Sequence, residues 1–159
     1  MLRIRRFSEY LNESQLYSQV NNGEGYEIEG ENIVPLICSL MSSMMNNDCK
    51  FKEEDIPDVY FSDNPQEGVN PAHKRTGSYF PDNNSIVIYV YGRSLKDVLR
   101  SFAHEFIHAD QCKNKGWDLY PAANGLGEGS PEEAEEIEAD AYLRGNLGLR
   151  RWEDRMRSR

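Results

Sequence analysis

The sequence predicts an α+β domain, and three patterns carry that prediction. Residues 33–45 place Leu36, Ile37, Leu40, Met41 and Met44 on one helical stripe. Residues 58–62, 77–80 and 85–91 are short runs rich in β-branched and aromatic residues, bounded by turn chemistry. Residues 94–116 and 130–145 each open on a helix cap and close on a glycine.

Taken in order, residues 7–17 have loosely helical apolar spacing, and the Asn- and Gly-rich stretch after them reads as a loop. Pro35 stands near the start of the methionine-rich helix that follows, whose stripe reads as core. In the middle third, Pro81 to Asn84 is a turn, so strands 77–80 and 85–91 form a hairpin that ends at Gly92. Ser94 with Asp97 three residues on opens the next helix. For the last helix Ser130 is the expected N-cap, Pro131 the first helical residue, Glu133 the capping-box acid and Gly145 the stop. The expected organisation is residues 1–32 as an N-terminal helix and polar loop, 33–147 as the domain, and 148–159 as a basic tail.

Composition narrows the function classes. The chain has 159 residues, enough for one core, and its mean hydropathy of -0.74 implies long polar loops or ends. No apolar run reaches the roughly 20 residues of a membrane span, and the basic N-terminus lacks the apolar core of a signal peptide. Cys38, Cys49 and Cys112 are widely spaced and read as reduced thiols, which favours a reducing compartment. A net charge of -9 argues against general nucleic-acid binding. Lys and Arg are absent from 11–49 and from 116–143, whereas the end carries Arg144, Arg150, Arg151, Arg155, Arg157 and Arg159. That end reads as a solvated tail or as a dock for an acidic partner.

Chemistry concentrates in HEFIH. His104 and His108 lie four apart on a helix, about 40° from one another, so their imidazoles stand side by side at chelating distance. Glu105 sits about 100° round, off the ligand pair but within reach of a water on the ion that the pair would hold. A catalytic zinc commonly has three protein ligands and one open position, and the acidic helix offers the third. Glu136 is the first choice there, with Asp140 one turn on fixing a ligand imidazole; Glu138 is the second choice. Two histidines on an ordinary helix surface are the bland alternative.

His104, Glu105 and His108 followed by Glu136, Ala139 and Asp140 resemble the gluzincin class of zinc metallopeptidases, in which HExxH precedes a second-helix E-x-x-[SA]-D. The gap of 28 residues from His108 to Glu136 is similar to that of small ImmA/IrrE-type peptidases and phage-encoded HExxH proteins, and the opening RIRRFSEYLNES resembles those of tailed-phage reading frames. The resemblance covers roughly residues 86–145. It implies a minimal zincin-like domain, with a short sheet packed on the HExxH helix and a glutamate-ligand helix completing the cleft. It also implies that the strand SIVIYVYG pairs with an extended peptide. The expected activity is zinc-dependent hydrolysis of a peptide or protein substrate, with Glu105 as general base and an intracellular or virion-associated location. Tyr120, Tyr142 and His73 are candidates for a second oxyanion donor. The alternative is a non-catalytic, zinc-stabilised binding or virion-associated structural module.

Overall fold

The computed structural model describes residues 20, 27–65, 76–117, 119 and 131–158. The expected N-terminal helix, His73, Tyr120, the glycine loop and the Ser130 cap lie outside the described residues. Within them the chain mixes helix and strand, as expected of an α+β domain.

Strands β1 (Glu27–Ile28) and β2 (Glu31–Asn32) make a two-stranded hairpin whose turn residues Glu29 and Gly30 both have positive φ, at 55° and 78°. That is the turn sense that matches strand twist. Asn32 then caps α1 (Ile33–Asn47), its side chain accepting from the Val34 N–H at 3.1 Å. Ile33, Ile37, Leu40, Met41 and Met44 are fully buried, so the methionine-rich stripe is core.

A short 3-10 turn at Glu53–Asp55 leads to the three-stranded sheet: β3 (Asp58–Ser62), β4 (Gly77–Phe80) and β5 (Ser85–Tyr89), ordered β3-β5-β4. Strand β3 pairs with β5 in parallel and β4 pairs with β5 as the antiparallel hairpin. The SIVIYVYG strand is therefore central and both its edges are taken, which corrects the expectation that it pairs with a substrate. Its nearly unbroken apolar run already fits a strand covered on both faces. Val20 bridges the outer side of β3 at Val59, so β4 is the sheet edge left unpaired among the described residues.

Helix α2 (Leu95–Lys113) follows, with the Ser94 hydroxyl accepting from the Asp97 N–H at 3.2 Å. It packs against β4 and β5 on one side and against α1 and α3 on the other. From Ser101 to Gln111 every residue except His104 is buried. Phe102 and Phe106 are wholly enclosed, each contributing about 1.5–3 kcal/mol by leaving water.

Helix α3 runs from Pro131 to Arg157, straight through Gly145. The expectation of a stop there is overturned for a packing reason. A Cβ on Gly145 would lie 3.2 Å from the His104 Cα and N, so the glycine lets α3 approach the α2 backbone. Gly148 does the same against Met44 and Asp48. The supposed basic tail is the last part of this helix: Leu149 and Trp152 are buried, the Trp152 indole N–H donates to Ser39 Oγ at 2.9 Å, and Arg151 pairs with Asp48. Arg150, Arg155 and Arg157 remain exposed. Cys38, Cys49 and Cys112 are free thiols, and burial above all pushes the Cys49 thiol up. No helix among the described residues is long and apolar enough to cross a membrane.

Candidate metal centre

Helix α2 supplies His104 and His108 from successive turns, with ring centroids 4.7 Å apart and planes at 88°. Their Nε2 atoms stand 3.2 Å apart. Helix α3 brings Glu138 to the same point, with Oε2 3.1 Å from His104 Nε2 and Oε1 3.2 Å from His108 Nε2. One donor atom from each of the three residues lies within 4.8 Å of the others, so together they can hold a metal ion. Two imidazoles and a carboxylate are a donor set suited to zinc and its neighbours among the divalent ions.

The third donor is Glu138 rather than Glu136, the residue favoured from sequence. Glu136 is exposed and belongs to no such cluster. The buried stripe of α3 is Ile137, Ala141, Gly145, Gly148, Leu149 and Trp152. Glu138 lies about 40° from the middle of that stripe and Glu136 about 160° from it, at 100° per residue.

Electrostatics follow from the convergence. Hydrogen bonds from His104 and then His108 hold the Glu138 carboxyl well below the usual carboxylate range. Burial works to lower the His108 imidazolium, but the Glu138 hydrogen bond, the Glu105 charge, the Gln111 hydrogen bond and the Glu138 charge together outweigh it and raise the net value. Glu105, buried and next to His104 in the chain, is held above its ordinary value by burial and then the Glu138 charge, although both histidines and the Tyr79 N–H pull it down. Gly77 on β4 makes room for it, since a Cβ there would come within 3.1 Å of Glu105 Cγ.

Asp140 does not touch an imidazole, contrary to expectation. His108 Nδ1 meets Gln111 Oε1 at 2.8 Å, and Gln111 Nε2 donates to the Ile137 carbonyl at 3.0 Å and to Asp140 Oδ2 at 2.9 Å. Asp140 accepts two bonds from Arg144, at 2.9 and 2.7 Å, and Arg144 also reaches Asp110 at 2.6 Å. Gln111 is the residue the sequence reading missed, although its place three after His108 puts it on the ligand face. His104 Nδ1 is buried without a hydrogen-bond partner among the described residues. The exposed Tyr142 ring stands 4.5 Å from that of His104. Comparison with family models, curated proteins and solved structures finds no match to this chain.

Proposed function

We propose that the chain is a zinc-dependent peptidase with a minimal zincin-like, gluzincin-type arrangement. The observation that carries this reading is Glu105, a buried carboxyl directly beside a two-histidine, one-glutamate cluster on a helix that packs under a sheet edge. A structural staple has no use for such a base. Zinc, when bound, supplies an acidified water and polarises a carbonyl. Glu105 takes a proton from the attacking water and passes it to the leaving amine.

Charge on the reacting carbonyl oxygen calls for a second donor, and Tyr142 is the one this reading assigns, because its ring stands against His104. An extended peptide would lie along the edge of β4 that is unpaired among the described residues and borders Glu105 through Gly77 and Tyr79, rather than along β5.

The test is a peptide-library cleavage screen on zinc-loaded wild type and Glu105→Gln. Cleavage by wild type, falling about 10²–10⁴-fold in a variant that still holds zinc, is the expected result. Full zinc loading without cleavage in wild type would favour the zinc-stabilised binding or structural module, and an unimpaired Gln variant would remove Glu105 as base.

A further inference from the structure

We propose that Gln111 is a positioning residue for the metal centre, holding the His108 proton on Nδ1 so that the Nε2 lone pair faces His104 and Glu138. The inference rests on the metal-binding half of the reading above and not on hydrolysis.

Gln111 is wholly buried, and its Nε2 has two acceptors, the Ile137 carbonyl at 3.0 Å and Asp140 Oδ2 at 2.9 Å. An amide nitrogen has two hydrogens, so both are used. Only Oε1 is left for His108 Nδ1 at 2.8 Å, and an oxygen there requires a ring N–H opposite it. Turning the amide over would set Oε1 against a carbonyl and a carboxylate and forfeit both donations. Asp140 cannot yield either, because Arg144 grips both its oxygens and is itself held by Asp110.

The direction of the Gln111 amide is therefore dictated by α3, the same helix that carries Glu138. Docking α3 on α2 delivers the third donor and orients the second in one step. His104 has no matching support, since its Nδ1 is without a partner among the described residues. Partners of this kind typically change metal affinity by about 10–100-fold.

In the metal-free chain Glu138 competes for the His108 ring from the Nε2 side, at 3.2 Å, so the measurement uses zinc-loaded protein. Nitrogen-15 NMR of wild type should show His108 bound to zinc through Nε2, with an Nδ1–H proton protected from solvent exchange. Gln111→Leu should lose that protection and bind zinc about 10–100-fold more weakly in a chelator competition. Ligation through Nδ1, or an unprotected ring proton in wild type, overturns the proposal without any variant, as does unchanged zinc affinity in a folded Gln111→Leu. Wild type that binds no zinc would refute the metal reading together with this inference. Absent cleavage, with the NMR and affinities as expected, would refute hydrolysis alone.

Discussion

Replacing Arg144 with Met should cost the domain about 3–5 kcal/mol of stability, because it strands a buried charge. Arg144 spans two carboxylates: Nη1 donates to Asp110 at 2.6 Å, while Nε and Nη2 clasp Asp140 at 2.9 and 2.7 Å. The Asp110 side chain is only 4% exposed, and without the arginine its remaining side-chain partner is the neutral Asn114 amide at 2.8 Å. Asp140, 23% exposed, suffers less because water reaches it. A loss of that size is a large fraction of the roughly 5–15 kcal/mol typical of a domain, and amounts to a melting point lower by about 6–20 °C. Urea denaturation at fixed zinc, repeated with chelator, gives the number. Asp110→Asn in the Arg144→Met background should recover a substantial part by removing the stranded charge. Burial pushes the Asp140 carboxyl up, but the Arg144 hydrogen bonds and charge bring it below its ordinary value. The stability this contributes is present above the unfolded carboxylate pKa of about 3.9 and is lost as pH falls through the lower folded value. Arg144→Met should therefore flatten that acid limb. A cost under about 1 kcal/mol, with the acid limb unchanged, would refute the reasoning, since it would mean neither carboxylate depends on Arg144.

Two further substitutions probe how α3 meets α2. Glu138→Gln should reduce zinc to well below one ion per chain by inductively coupled plasma mass spectrometry, while Glu136→Gln retains the wild-type content; the reverse order would restore the sequence-based assignment. Gly145→Ala gains about 1 kcal/mol of helix propensity. Its new Cβ, however, meets the His104 backbone at 3.2 Å, and overpacking costs about 1–3 kcal/mol. Net destabilisation in thermal melts, together with weaker zinc binding, is expected; a stabilised protein with unchanged affinity would show that the close approach is not needed.

Much of the architecture was legible in local chemistry. The strands, the Ser94 cap and the methionine stripe lie where pattern and capping put them, with the last strand ending at Tyr89 rather than at residue 91, because each is decided within a few residues. Strand order is not local: the hairpin of β4 and β5 could be read from the turn between them, but nothing in 58–62 announces that β3 adds in parallel and closes the other edge of β5. That pairing takes both edges of β5 and leaves β4, which borders Glu105, as the edge unpaired among the described residues.

The donor exchanged between sequence and structure has a similar cause. HEFIH is self-contained, since four-residue spacing on any helix brings two imidazoles together, and it needs only the helix to exist. The third donor depends instead on which way a second helix faces. Reading Gly145 as a stop truncated α3 before Leu149 and Trp152, and the short segment left too few apolar residues to orient a strongly acidic helix. Extended to Trp152, the same residues form a stripe that points Glu138 inward and Glu136 to water. A glycine can end a helix or let two helices touch, and here the second use decides which glutamate meets the histidines. The close approach of Gly145 to the His104 backbone and the Gln111 clasp on Ile137 and Asp140, about two turns further along α2, act on the same pair of helices, so the geometry of the site is a consequence of how α3 docks.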